Sequence, residues 1–247
     1  MTVSADILAV AALAVCAAYV VYGLTGFGST VLALPMLAHL MPLRFAVPML
    51  LLLDLAMGIA FNARARRGIR TDELAWLAPF MLAGMAAGLT LLIRLPERNL
   101  IAVLGAFVLA YSLWGISRRG AAHTLARAWC APIGLVGGAF SALFGTGGVL
   151  FAVYTSGRLR DVTELRATTA AAILFSVSVR SLLFLAAGLF AQEGLLVSAL
   201  ALAPAAFAGL LIGTRLHARV RATVVIRAMH LLLAVAGVSL LVRAAGA

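Results

Sequence analysis

Two apolar stretches of this chain are too long to cross a membrane only once. They cover roughly residues 5–41 and 128–156. Because a helix needs about 20 residues to span a bilayer, each stretch must contain a break, and glycines mark the two places at residues 23–30 and 145–148. Backbone without helical hydrogen bonds is tolerated at membrane depth only where it is buried in protein or lines a cavity. We therefore expect both breaks to lie inside a helix bundle.

The composition indicates a polytopic membrane protein. Of the 247 residues, 64% are hydrophobic and only 11% are charged, a balance that is not found in soluble domains of this size. The formal net charge is +11, and every basic residue is an arginine. These arginines form short clusters between apolar runs, which is typical of membrane-flanking segments. This placement excludes nucleic acid as a partner and leaves the lipid bilayer and a small molecule.

Apolar runs between charges predict an all-α integral membrane protein with about eight transmembrane segments. The first and the fifth segments are the broken ones. The segments cover residues 5–37, 45–62, 73–93, 99–117, 129–156, 165–190, 195–214 and 223–243. The arginines divide almost evenly between the two sets of connections, so the positive-inside rule leaves the membrane orientation open.

The same motifs recur in the same order in both halves of the chain. Residues 26–35 align with 145–154, Leu43-Arg44 with Leu165-Arg166, and Pro79, Gly84 and Gly88 with Pro204, Gly209 and Gly213. We therefore predict one membrane domain of two four-segment repeats, 1–120 and 121–247. In each half the last two glycines form G-x-x-x-G, which lets helix backbones approach closely in lipid. Whether the repeats are parallel or inverted stays open.

The two glycine breaks form the first candidate site. A helix that restarts after a break presents free backbone N–H groups and the positive end of its dipole, and both attract anions. Breaks at corresponding places in two halves favour a transporter site, whereas glycines that only permit kinks and close packing are the alternative. The predicted substrate-binding residues of the two breaks are Gly26, Gly28, Ser29, Thr30, Gly145, Thr146, Gly147 and Gly148.

Asp54 is the second candidate, because it lies among leucines near the middle of the second segment. A carboxylate at that depth is costly and is by default functional. Gly58 and Asn62 follow at i+4 and i+8, on the same helical face. We predict ion coupling by Asp54 and Asn62, with a structural ion pair or hydrogen bond as the alternative.

Arg180 lies deep in the sixth segment, with Ser176 one turn earlier on the same face. A guanidinium can hold an oxyanion through two parallel hydrogen bonds, so Arg180 is a further candidate for substrate binding. The repeat alignment places Asp54 and Arg180 at similar depth on related helices. Arg180 therefore binds the substrate directly, pairs with Asp54 and is released during transport, or forms a permanent structural pair.

No H-E-x-x-H, Walker A, C-x-x-C or nucleophile-elbow pattern occurs in the sequence. This argues against a membrane protease, an ATP-driven pump and a redox enzyme, and we expect no metal and no cofactor. Two classes other than a coupled transporter stay open. They are an uncoupled anion channel or facilitator with the same site, and a non-transporting membrane scaffold.

The whole pattern resembles the TauE/SafE family of sulfite and organosulfonate permeases. Members of that family carry a run such as G-x-G-G-G, followed by a few apolar residues and a proline. The two copies here read GFGSTVLALP at residues 26–35 and GTGGVLFAVY at residues 145–154. The departures from the family run are residues that replace glycine or proline, at Ser29, Thr30, Val149 and Tyr154.

The resemblance covers nearly the whole chain and implies a function. It implies a secondary transporter of small sulfur-containing or organic anions, such as sulfite or sulfonates, in a multi-pass protein of the inner membrane. It also implies movement in the outward direction, and we expect ion coupling. The identity of the substrate, the coupling ion and the oligomeric state, including a homo-oligomer, stay open.

Overall fold

The computed structural model describes residues 5–26, 28–62, 68–117, 125–216 and 222–246. Within these ranges the chain is all-helical, which confirms the predicted class. In chain order the helices are α1 (Ala5–Thr25), α2 (Ser29–Leu37), α3 (Leu43–Asn62), α4 (Thr71–Arg94), α5 (Glu97–Ser117), a 3-10 turn (Arg127–Trp129), α6 (Cys130–Phe144), α7 (Gly147–Arg158), α8 (Val162–Ala186), α9 (Leu195–Leu216) and α10 (Ala222–Gly246).

Seven helical stretches within the described residues are long and apolar enough to cross a bilayer. They are α1, α4, α5, the 3-10 turn together with α6, α8, α9 and the described end of α10. Helices α2 and α7, with 9 and 12 residues, are too short to span a bilayer alone. The chain is therefore a multi-pass membrane protein. The count of eight segments in two repeats stays a prediction.

The helices divide into two compact units. The first unit contains α1, α2, α5, α9, α10 and the part of α3 up to Leu53. The second contains α4, α6, α7, α8 and the part of α3 from Asp54. Each unit therefore takes helices from both 1–120 and 121–247, and the two predicted repeats are not themselves the compact units.

In the first unit, α1 packs closely against α9 through glycines of α9. A Cβ atom on Gly209 would overlap the carbonyl oxygen of Cys16, and one on Gly213 would overlap that of Val20. Only glycine permits this approach of two backbones, which is how a G-x-x-x-G motif joins helices in lipid.

In the second unit, α4 packs against α6 in the same manner. A Cβ atom on Gly84 would overlap the carbonyl oxygen of Leu135, and one on Gly88 would overlap that of Ala139. Both predicted G-x-x-x-G motifs thus lie at close helix contacts. The buried cluster of this unit contains Leu77, Met81, Met85, Cys130, Ala142, Phe151, Tyr154 and Ala172.

Candidate anion site at the second helix break

The second break separates α6 from α7 by two residues. Helix α6 ends at Phe144, and Gly145 follows with a φ of 72°, a left-handed conformation that glycine adopts without steric cost. The amide of Gly145 donates to the carbonyl oxygen of Ser141 at 2.8 Å, which closes the end of α6. Thr146 then precedes α7, whose first residue is Gly147.

Glycine at the start of α7 lets this helix lie directly against the end of α6. A Cβ atom on Gly147 would overlap the carbonyl oxygen of Gly137 and would lie 2.7 Å from the Cβ of Ser141. A Cβ atom on Gly148 would lie 3.1 Å from two side-chain carbons of Ile173 on α8. The first two residues of α7 therefore leave their backbone N–H groups unshielded by side chains of their own, as anion sites at helix N-termini require.

Thr146 places a buried hydroxyl at this helix start. Its side chain is fully buried, with 0% exposure, and its hydroxyl has no hydrogen-bond partner among the described residues. Although Thr146 occupies the N-cap position, its side chain makes no capping hydrogen bond to α7. A buried hydroxyl left unsatisfied costs about 1–3 kcal/mol. A ligand oxygen at the start of α7 would remove that cost.

Arg180 brings a positive charge to the same break. It lies on α8 with 2% exposure, and its Nη1 donates to the carbonyl oxygen of Ser141 at 2.8 Å. Arg180 and the Gly145 amide thus bond the same oxygen in the last turn of α6, where the helix dipole favours a cation. Nη2 of Arg180 lies 3.7 Å from Oδ2 of Asp54, an ion pair longer than a charge-assisted hydrogen bond.

The hydroxyls of Ser141 and Ser176 bond each other and join the end of α6 to α8. Both serines are buried, at 4% and 3% exposure. Ser176 lies one turn before Arg180, as predicted. Ser141 was not among the predicted residues. Its only sequence signal is its position four residues before Gly145, as a polar residue inside the apolar run that leads to the break.

The first break, in the other unit, has three residues between its helices. Gly26 and Gly28 have φ values of 83° and 94°, and Gly28 directly precedes α2. Ser29 and Thr30, the first two residues of α2, are buried at 5% and 4% exposure. Phe27 lies outside the described residues. The predicted residues of this break thus lie at or just before the start of α2, and anion binding by them stays a prediction.

The two ion-coupling candidates both belong to α3. Asp54 faces Arg180 with a side-chain exposure of 12%. Asn62 is the last residue of the helix, and its side chain is outside the described part of the chain. Ion coupling by Asp54 and Asn62 stays a prediction.

An ionic cluster around a buried carboxylate at the other end of α7 was not predicted. Glu73, in the first turn of α4, is 3% exposed, and we call it together with Arg127, Tyr154 and Arg158 the Glu73 cluster. Its carboxylate accepts hydrogen bonds from Arg127 Nη2 at 3.2 Å, Arg158 Nε at 3.2 Å, Arg158 Nη2 at 2.6 Å and the Tyr154 hydroxyl at 2.6 Å. The available signal was Tyr154 in the place of proline, with Arg158 four residues later on the same helical face.

Comparison with known proteins places the chain in a family. The family model described as "Sulfite exporter TauE/SafE" matches residues 10–240. The chain belongs to this family. A TauE/SafE protein is a membrane transporter and not an enzyme, and the predicted resemblance is confirmed.

A curated relative agrees with this assignment. The Comamonas testosteroni protein described as "Probable inner membrane transporter protein TsaS" is 29% identical to the chain over 197 residues. The match covers 78% of this chain and 81% of the relative. No solved structure matches the chain.

Proposed function

We propose that this TauE/SafE protein is an ion-coupled secondary transporter that exports small sulfur-containing or organic anions, such as sulfite or sulfonates, across the inner membrane. The observation that carries the proposal is the start of α7, where the buried hydroxyl of Thr146 lacks a partner beside two glycine amides. The family description names sulfite export, and the Comamonas relative is described as an inner membrane transporter. The first description supports the proposed substrate class, and the second supports the proposed location.

The proposed site holds an oxyanion on the N-terminus of α7. The amides of Gly147 and Gly148 donate to it, the Thr146 hydroxyl donates a further hydrogen bond, and the helix dipole stabilises its negative charge. Arg180 adds a full positive charge at the same break, because it bonds the Ser141 carbonyl oxygen at the end of α6.

The proposed coupling depends on competition for Arg180. Asp54 already lies 3.7 Å from the guanidinium, so an anion that approaches Arg180 meets the charge of a carboxylate. A proton on Asp54 would remove that charge and strengthen the attraction between Arg180 and the anion. Asn62, two turns after Asp54 on α3, is the second residue we propose for the coupling path.

We also propose that the start of α2 contributes to anion binding as the counterpart of α7 in the other predicted repeat. The glycine contacts support the two repeats. When Gly26 is aligned with Gly145, Cys16 and Val20 align with Leu135 and Ala139, and these four residues are the contacts of Gly209, Gly213, Gly84 and Gly88. The residues proposed at the start of α2 are Gly26, Gly28, Ser29 and Thr30.

Thermal stabilisation of the purified protein by anions tests the site. The panel contains sulfite, sulfate, thiosulfate, taurine, acetate and lactate, and the variant is Thr146→Val. A ligand of the folded state raises the melting temperature by mass action. We expect one class of oxyanion to stabilise the wild type. We expect Thr146→Val to weaken its affinity about 10- to 150-fold, since a hydrogen bond to a charged group contributes about 1.5–3 kcal/mol.

The matched control is Thr90→Val. Thr90 is an exposed residue of α4 whose hydroxyl bonds the carbonyl oxygen of Ala86, so this variant makes the same chemical change away from the break. Anion affinity in Thr90→Val should equal that of the wild type. Equal affinities in Thr146→Val and the wild type would contradict the proposed site. In voltage-clamped vesicles, an anion flux that is the same with and without a pH gradient would show an uncoupled facilitator and contradict the coupled transporter.

A further inference from the structure

Helix α7 carries the proposed anion site at one end and the Glu73 cluster at the other. It has 12 residues and is therefore about 18 Å long. The proposed transport mechanism uses the first end and gives no role to the second. Both ends nevertheless belong to one rigid element, so whatever holds the second end also sets the place of the first.

The Glu73 cluster attaches α7 to α4 at two points. The hydroxyl of Tyr154 donates to Oε2 of Glu73 at 2.6 Å, and Nη2 of Arg158 donates to Oε1 at 2.6 Å. Tyr154 and Arg158 are four residues apart on one face of the helix. Two attachments to one carboxylate fix both the rotation of α7 and its position along its own axis.

The attachment is strong because the carboxylate is buried and fully used. Glu73 is 3% exposed and Tyr154 is 0% exposed. A buried carboxylate is stable only when it is paired and hydrogen-bonded, and Glu73 accepts from Tyr154, Arg158 and Arg127. Its position in the first turn of α4 adds the favourable end of a helix dipole.

The start of α7 has no comparable attachment through side chains of its own. Its first two residues, Gly147 and Gly148, carry none, and the hydroxyl of Thr146 makes no hydrogen bond within the described residues. The backbone of Gly147 lies directly against the backbone of Gly137 there. Side-chain hydrogen bonds that fix the rotation of α7 therefore come from its opposite end, at Tyr154 and Arg158.

We infer that Glu73 is a positioning residue for anion binding, acting through Tyr154 and Arg158 on the amides at the start of α7. This inference rests on the proposed function, because it concerns the affinity of the same site. Glu73 itself lies at the far end of α7 and does not touch the anion. Loss of its charge lets the helix start move away from the position that an oxyanion needs.

The experiment compares Glu73→Gln with Glu97→Gln, using sulfite as the probe. Glu97 is also a first-turn glutamate, on α5 in the other unit, and its Oε1 accepts from the backbone amide of Leu43 at 2.6 Å. Both variants therefore remove one carboxylate charge from a helix junction. We measure the melting temperature without sulfite, and the dissociation constant of sulfite from its concentration dependence.

We expect both variants to melt at lower temperature than the wild type, but only Glu73→Gln to bind sulfite at least five-fold more weakly. Glu73→Gln should raise the dissociation constant of sulfite by a smaller factor in the Thr146→Val background than in the wild type, because both substitutions act on the start of α7. If Glu73 had a purely structural role, Glu73→Gln would lower the melting temperature without changing the dissociation constant of sulfite, in the wild type or in Thr146→Val.

If Glu73→Gln does not fold, Tyr154→Phe provides the same test, because it keeps the Arg158 pair and removes one of the two attachments. The inference is overturned if the positioning variant, Glu73→Gln or its substitute Tyr154→Phe, binds sulfite with a dissociation constant within two-fold of the wild type. Weakened sulfite binding in Thr146→Val would still support the proposed site in that case. Unchanged sulfite binding in Thr146→Val, by contrast, overturns the proposed function, and the inference falls with it.

Discussion

Both helix breaks contain glycines with positive φ, but they differ in the residue that precedes the following helix. The first has two glycines with positive φ, Gly26 and Gly28, and the second of them directly precedes α2. The second break has one such glycine, Gly145, and then a threonine before α7. In the first break, therefore, the residue before the new helix has no side chain, whereas in the second that residue brings a buried hydroxyl. Both helix starts thus carry buried hydroxyls, on Ser29 and Thr30 within the first turn of α2 and on Thr146 directly before α7.

The second break also differs in its charge. The carbonyl oxygen of Ser141 accepts from the Gly145 amide and from Arg180. In the first break, the carbonyl oxygen of Tyr22 accepts from the Gly26 amide at 2.7 Å. The predicted repeat alignment places a glycine, Gly58, at the position of Arg180. The comparison teaches that two helix breaks with similar glycine turns can differ in charge, since Arg180 bonds the end of the helix before the second break.

The largest expected effect is the loss of stability when alanine replaces a glycine in the tightly packed second break rather than in the first. In Gly147→Ala the new Cβ would overlap a backbone oxygen of Gly137, so α6 and α7 must move apart, at a cost of about 3 kcal/mol. In Gly28→Ala the nearest atom to the new Cβ is Met229 Sδ at 4.0 Å, so the cost is the positive φ alone, about 1 kcal/mol.

Melting temperatures in detergent and sulfite flux into vesicles measure both effects. Gly147→Ala should lose flux and melt well below the wild type, and Gly28→Ala should retain part of both. The reverse order would show that the first break, and not the second, is the tightly packed one.

The second prediction concerns the charge that distinguishes the second break. Arg180→Gln leaves Asp54 without its ion-pair partner at a side-chain exposure of 12%, and removing one member of a buried pair costs about 3–5 kcal/mol. The double variant Asp54→Asn with Arg180→Gln removes both charges and should recover much of that stability. It should not recover anion affinity if Arg180 attracts the substrate.

Stability and anion binding are measured on the same preparations. Recovery of both in the double variant would make the Asp54–Arg180 pair purely structural. Recovery of stability alone would place Arg180 with the substrate and sharpen the contrast between the two breaks.

Local features of the sequence predicted much of this structure. Apolar runs gave the helices, because burial in a bilayer depends on each segment's own composition. Glycines indicated the G-x-x-x-G contacts and the positive-φ turns at Gly26, Gly28 and Gly145, because glycine tolerates positive φ without steric cost, and the broken membrane segments stay a prediction. The contact between Asp54 and Arg180 was one of the alternatives that the sequence offered, from their similar depth in two segments.

The two compact units have no such local signal, and the signal for the Glu73 cluster, Tyr154 and Arg158 on one helical face, does not identify Glu73 as their partner. Glu73 and Arg158 are separated by 85 positions, and each looks like an ordinary charge at the end of an apolar segment. Their burial depends on how α4 and α7 pack, which no period or spacing within either segment shows. Ser141 and its bond to Ser176 were missed for the same reason, since the partners lie on different helices.

The smallest expected effect is a pH dependence of stability that comes from the first unit. It tests whether the pH response of transport belongs to the second unit instead. His39 lies between α2 and α3 in the first unit, where burial, and then the charge of Arg243, lower its pKa below the usual 6.5. The folded protein therefore binds this proton less readily than the unfolded chain does. Stability should fall as the pH drops through about 6.5 and level off below the folded pKa.

His39→Gln should remove this small pH dependence of the melting temperature. Its Nε2 faces Ser239 Oγ at 3.2 Å, a contact that the glutamine amide can replace. Anion flux in His39→Gln vesicles should keep the wild-type response to pH, because the proposed coupling proton belongs to Asp54 in the second unit. A flux that loses its pH response in His39→Gln, while Asp54→Asn retains it, would move the coupling from the second break to the first unit.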